Sequence, residues 1–314
     1  MSSLHAVFGT GAVGMAVMEA LVRRGYRVRM VNRSGHASVP SGVEVVGGDA
    51  SDPGFSCQAA TGASVLYQCL NPPYHRWVEL FPALQAGVLA AAESTEAKLV
   101  VMENVYMYGL PQGRPLTEDR PYDAHTKKGR LRARMTNELL DAHRRGVRMT
   151  IGRASDYFGP RGGAQSILGD RVIPPALAGK PAQLLGNPDL PHTYTYIPDI
   201  GEALVLLGER DEALGQPWHL PNPETLTTRQ LVELIYQQAD YPPKLRVAPK
   251  LLLRLIGLFD PTVRELVVMA YEFEEPFIVD STKFQTKLGM TATPIQHAIA
   301  QTVEWYQRRA ADRA

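Results

Sequence analysis

Over the first 150 positions, apolar side chains fall in short runs rich in Val, Ile and Leu. Between these runs they recur every three or four residues. The runs at 4–8, 27–31, 43–46, 64–69, 98–102 and 148–152 predict strands. The stretches 11–25, 77–92 and 126–145 predict helices, the last closed by Gly146. Strands that are apolar almost throughout are buried on both faces, so this alternation predicts a parallel sheet between two helix layers. After Gly159-Pro160, Pro and Gly become frequent and the alternation stops. Helices are expected at 226–238, 249–259 and 294–309, the last two opened by Pro. Residues 161–314 therefore predict a smaller unit on the carboxyl edge of the sheet, with 193–213 returning to the first part.

The turn after the first strand reads Gly9-Thr10-Gly11-Ala12-Val13-Gly14. Between a strand and a helix, each glycine has a task. Gly9 permits the tight turn, Gly11 lets the backbone approach a pyrophosphate, and Gly14 lets helix and strand pack. The helix start adds unpaired N–H groups and a partial positive charge. The expected fold is α/β, a Rossmann-type doubly wound parallel sheet over residues 1–160 with a smaller C-terminal substrate-capping domain over 161–314. The expected cofactor is NADP, with NAD possible. Asn32 stands where NAD-binding chains usually carry an acid for the ribose 2′-hydroxyl. Arg33 adds a cation suited to a 2′-phosphate, and Ser34 adds a donor. The alternative for Arg33 is a solvated surface arginine. Asp49-Ala50 follows the third strand and either faces the adenine or opens the turn before Asp52-Pro53. Cys69, Leu70 and Asn71, after the fourth strand, complete the expected cofactor contacts.

Composition narrows the partners. The chain has 33 basic and 32 acidic residues, a formal charge of +1, and so gives no electrostatic case for nucleic acid or an anionic membrane. Apolar runs fall short of the roughly 18 residues that span a bilayer, and the run at 251–259 is broken by Arg254. With a strand beginning at Leu4 and two cysteines outside any C-x-x-C pattern, the expectation is a cytoplasmic protein. No H-E-x-x-H or Cys/His spacing predicts a metal, and no G-x-S-x-G elbow predicts a nucleophilic serine.

Four later segments, in order, carry a resemblance. They are Val100-Val101-Met102-Glu103-Asn104-Val105-Tyr106-Met107-Tyr108-Gly109, then Arg153 to Pro160, then Tyr194 to Ile200, then Phe277 to Gly289. Together with the glycine turn they resemble the extended short-chain dehydrogenase/reductase family, which includes NAD(P)-dependent sugar-nucleotide epimerases and dehydratases. That family works with Ser and Tyr-x-x-x-Lys. No Tyr in this chain has Lys four residues on. The matching places hold Asn104, Thr126 and Arg130, which puts the chain with the atypical members.

The resemblance places Tyr106 where dehydratases carry a working Glu. A phenol ordinarily titrates near 10, so Lys127 or Lys128 is expected to lower it. Two readings stand for Tyr106: a proton donor, with Asn104 orienting the substrate carbonyl, or a ring packed against nicotinamide. Thr126 and Arg130 complete the candidate catalytic set, Arg130 as a ribose contact that shuttles no proton. Most of the seven cations of 126–145 are read as a solvated helix face. The leucines at 251–253, with Ile256, Leu258 and Phe259, either form helix core or line a pocket for a substrate less polar than a nucleotide sugar. The leading expectation is an NADP-dependent oxidoreductase acting on a small carbonyl, alcohol or enone. The alternatives are a sugar-nucleotide epimerase or dehydratase, and an inactive NADP(H)-sensing regulator. A homodimer is the default assembly, on the family's habit of pairing through the matching helix.

Overall fold

The computed structural model describes residues 2–312, apart from the side chains of Leu252, Arg254 and Thr262. The first part runs β1 (Leu4–Phe8), α1 (Ala12–Arg23), β2 (Arg27–Asn32), β3 (Glu44–Gly47), α2 (Pro53–Ala60), β4 (Ala63–Gln68), α3 (Trp77–Thr95), β5 (Lys98–Glu103), α4 (Lys127–Arg144) and β6 (Met149–Arg153). Then come β7 (Asp156–Phe158), α5 (Ile173–Leu177), β8 (Ala182–Leu184), β9 (Pro191–His192), β10 (Tyr194–Tyr196), α6 (Ile197–Glu209) and β11 (Pro217–His219). The chain closes with β12 (Leu226–Thr227), α7 (Thr228–Gln238), β13 (Leu245–Val247), α8 (Lys250–Ile256), α9 (Pro261–Met269), α10 (Thr282–Leu288) and α11 (Ile295–Ala311).

The six strands expected from the sequence form one sheet, and a seventh joins it. The order is β3-β2-β1-β4-β5-β6-β11, parallel throughout. The outer strand, β11, went unforeseen because three residues, Pro-Trp-His, carry no readable period. Pairing with β6 and burial of Trp218 make it a strand. Alternation along the strands sorts the core into two layers. Val7, Val65 and Tyr67 pack with α1 and α6, while Ala6, Phe8, Leu66 and Val101 pack with α2, α3 and α4. The Rossmann-type α/β architecture expected from the glycine turn is therefore present.

A second core gathers α5, α7 and α11 around Phe158, Tyr194 and Tyr196. Helix α7 starts with a reciprocal cap between Thr227 and Gln230. One expectation needs correction. The leucine-rich stretch at 249–259 is not helix core: α8 ends at Ile256, and Leu251, Leu255, Leu258 and Phe259 are exposed, Phe259 at 90%. Leu253 instead faces a cavity, and Leu252 lies outside the described side chains. The cations of α4 are mostly solvated, as expected, with two exceptions. Lys128 and Arg132 are buried, because Glu265 and Glu103 meet them inside.

Candidate active site

The strand order reverses at β1, whose neighbours are β2 and β4, and such a switch point opens a crevice at the carboxyl ends of the strands. Gly9 lines it with φ of 111°, its N–H bonded to the Val31 carbonyl at 2.9 Å. A Cβ on Gly9 would lie 2.7 Å from the Cys69 carbonyl oxygen, and one on Gly14 only 1.9 Å from the Gly9 oxygen. At Gly11 a Cβ would meet nothing within 4 Å, and α1 has no side-chain cap. The first turn of α1, with Ala12 and Val13, thus starts uncapped beside open space at Gly11, which fits a pyrophosphate that would satisfy the helix end.

The loop after β2 is organised by Asn32. Its Oδ1 accepts from the amides of Ser34 at 3.1 Å and Gly35 at 2.8 Å, and its Nδ2 donates to Thr10 Oγ1 at 3.1 Å and to the His36 carbonyl at 2.9 Å. Arg33 and Ser34 are thereby left exposed on the crevice rim. Asp49 accepts from Ser51 N and Oγ at 2.9 and 2.7 Å. Those bonds first, and the Arg33 charge last, hold its carboxyl below the usual range. Ala50 is buried against Gly87 of α3. After β4, burial pushes the Cys69 thiol up to about 12. Leu70 is half-buried, and the exposed Asn71 donates to Gln165 at 3.2 Å.

Beyond β5 the chain turns at Asn104, whose Oδ1 accepts from the Tyr106 amide at 3.2 Å. Tyr74 donates to the Tyr106 hydroxyl at 3.4 Å. Burial, and then Tyr74, Glu272 and Asp156 nearby, push the Tyr106 phenol well above 10. The expected lowering by lysine does not occur. Lys127 is exposed, and the Lys128 ammonium pairs with Glu265 and lies 4.3 Å from the Tyr74 ring centre. Thr126 caps α4, its hydroxyl accepting from the Gly129 amide at 3.0 Å. Arg130 is exposed and donates to the His125 carbonyl at 2.6 Å.

Tyr106 forms one wall of a cavity of about 440 Å³ between the sheet and the C-terminal part. Its polar lining includes Tyr74, Asp156 and Glu272. Glu272 is only 3% exposed, and its carboxyl has no hydrogen-bond partner among the described residues. Burial first and Asp156 second raise it well above the usual 4.5. Asp156 Oδ2 meets His192 Nε2 at 2.9 Å, while His192 Nδ1 meets the Glu272 carbonyl at 3.2 Å. Both ring nitrogens of His192 therefore face acceptor oxygens. Phe273 and Phe277 stack on that ring at 4.6 and 5.1 Å. Tyr74, His192 and Glu272 were missed in the sequence. The readable signal was a lone Glu within Tyr271-Glu272-Phe273, an acid set among apolar residues.

Beneath the cavity wall, Glu103 accepts from Thr136 and pairs with Arg153 at 3.1 Å and Arg132 at 3.4 Å, all buried. Arg153 also donates to Tyr108 at 2.5 Å and Tyr122 at 2.7 Å, and Tyr108 meets His219 of β11 at 2.8 Å. Tyr108 thus belongs to a framework joining β5, β6 and β11. Among the described residues no cluster of three or more His, Cys, Asp or Glu could hold a metal, and no helix is long and apolar enough to cross a membrane.

Comparison with known proteins follows the same lines. The family described as "NAD dependent epimerase/dehydratase family" matches residues 7–220. No curated protein matches the sequence. Among solved structures, the UDP-glucose 4-epimerase of Thermotoga maritima, solved with UDP-glucose, superposes with a TM-score of 0.81 at 16% identity, covering 98% of this chain and 99% of that one. The dTDP-glucose 4,6-dehydratase of Bacillus anthracis, in complex with NAD, gives 0.79 at 12%, covering 99% and 98%. A nucleoside-diphosphate-sugar epimerase of Pseudomonas aeruginosa gives 0.76 at 17%, covering 98% and 99%. At these identities the likeness is one of fold.

Proposed function

The chain belongs to the NAD dependent epimerase/dehydratase family, and within it we propose an NADP-dependent oxidoreductase that acts on a small carbonyl, alcohol or enone. The observation that carries this reading is Tyr106, a phenol held neutral by burial on the wall of a cavity beside the crevice. When bound, the dinucleotide gives or takes a hydride at its nicotinamide ring. The first turn of α1 donates N–H groups to its pyrophosphate, and Arg33 with Ser34 holds a 2′-phosphate. In the reducing direction Tyr106 passes its hydroxyl proton to the substrate oxygen, and the Tyr74 hydroxyl, bonded to it, stabilises the charge left behind. Asn104 keeps its Nδ2 for the substrate carbonyl, since its Oδ1 is occupied by the Tyr106 amide. The proposal includes a homodimer, which sedimentation tests.

A second reading, a sugar-nucleotide epimerase or dehydratase, is favoured by the family match and by the named neighbours. It needs a base to start oxidation, and Thr126 as a helix cap with Arg130 on the surface offers none. A pure sensor needs no cavity of this size beside its cofactor crevice. The test is calorimetric titration with NADPH and NADH. Losing the charge-assisted bonds of Arg33 to Ala costs about 1.5–3 kcal/mol. NADPH affinity should fall roughly 10–100-fold toward that of NADH. Equal binding of both cofactors before and after substitution would end the NADP assignment. Reduction of candidate ketones should then fall steeply in Tyr106→Phe, and unchanged turnover would remove Tyr106 from the chemistry.

A further inference from the structure

Every charge on the cavity wall is met in place. Lys250, the one cation lining it among the described side chains, pairs with Glu274. Asp156 pairs with His192. Glu272, buried and without a hydrogen-bond partner, sits in surroundings that favour its neutral form. The rest of the wall is largely apolar, with Ile167, Leu185, Val247, Leu266, Met269 and Phe273. A nucleoside diphosphate brings two negative charges and needs cations or backbone donors to replace its water. Here it would have to take Lys250 from Glu274 and leave three carboxyl groups facing phosphate. An uncharged apolar molecule loses nothing on entering, and its carbonyl or hydroxyl oxygen can accept from the Tyr106 hydroxyl and the Glu272 acid proton.

We infer that the cavity selects an uncharged, largely apolar carbonyl or hydroxyl compound and rejects nucleoside diphosphates, with Glu272 a second hydrogen-bond donor to the substrate oxygen. This rests on the oxidoreductase reading and deepens it. The volume of about 440 Å³ lies in the usual range for small-molecule sites, so the selection rests on the wall's charge and polarity.

The test uses the full chain, with and without NADPH, and a neutral naphthyl ketone whose emission shifts to the blue in apolar surroundings. Saturable, blue-shifted binding is expected, with neither UDP nor UDP-glucose displacing the ketone at millimolar concentration. Leu266→Trp, which fills the cavity, should weaken the ketone at least about tenfold and leave NADPH binding unchanged. Glu272→Leu should weaken the ketone further than Glu272→Gln, whose amide still donates. Displacement of the ketone by UDP-glucose, failure of the ketone to saturate, or indifference to Leu266→Trp overturns the inference. The titration without cofactor keeps this outcome separate from the NADP reading, which stands or falls on NADPH binding alone.

Discussion

The crevice at β1 and β4 is made largely of backbone. Three turns, at 9–14, 32–36 and 69–71, present N–H groups and exposed side chains to open space. The cavity under Tyr106 is made of side chains, phenols and carboxyls among them, drawn from positions as far apart as Tyr74 and Glu272. A site made of backbone donors tolerates change wherever a new side chain does not intrude, because any residue but proline supplies an N–H. A site made of side chains is remade by each substitution. That difference explains how a chain can keep its dinucleotide turn while Asn, Thr and Arg replace the usual catalytic residues.

The largest expected effect lies beneath both regions. Glu103→Leu leaves Arg153 and Arg132 buried without their counter-charge, which costs about 3–5 kcal/mol. Thermal unfolding should show a Tm lower by roughly 6–12 °C; a shift of a degree or less would mean the network is not what ties the layers. Next come the glycines. A methyl at Gly14 drives into the Gly9 carbonyl, so Gly14→Ala should cost about 1–3 kcal/mol and cofactor binding with it. Gly11→Ala meets open space, so Tm should hold while NADPH affinity drops. Equal destabilisation by the two would erase the distinction between packing glycine and ligand glycine.

The cavity gives a smaller effect with a pH signature. The Glu272 carboxyl titrates higher folded than unfolded, so the folded state holds more protons above about 4.5. Its contribution favours folding fully below that value and is lost as pH rises toward its folded value. Glu272→Gln removes this loss. The variant should gain Tm over wild type at about pH 8 and gain nothing at about pH 4, on the linkage rule. A pH-independent difference would mean the carboxyl is not held neutral. Smallest of all is Phe259→Ser: at 90% exposure the ring packs on nothing, and stability should stay within about 0.5 kcal/mol by chemical denaturation.

The sheet and the crevice were legible because their signals are local. A glycine turn, the strand before it and the helix after it lie within 20 positions, and six strands announce themselves as apolar runs. The cavity was legible at Tyr106, where the family resemblance points, and at Leu253, for which pocket lining was one of two readings. Tyr74 and Glu272 meet them through tertiary packing that no period encodes. Which cations of α4 would be buried was unreadable for the same reason: a cation is buried when a distant acid meets it, and Glu103 and Glu265 lie far off in sequence. The exposed leucines of α8 show the converse, an apolar period that leaves its side chains uncovered.

The last strand of the sheet, β11, arrives some 60 residues after its neighbour β6. On a ribosome the first six strands emerge well before it, and β6 must wait with an open edge. His219 also waits, so Tyr108 lacks one partner until the chain has passed 219. A fragment ending at residue 160 would keep that edge for good and pair it with other copies. Nascent chains of this protein therefore depend on the cap being made promptly, and slow translation between 160 and 217 is when they are most exposed to aggregation.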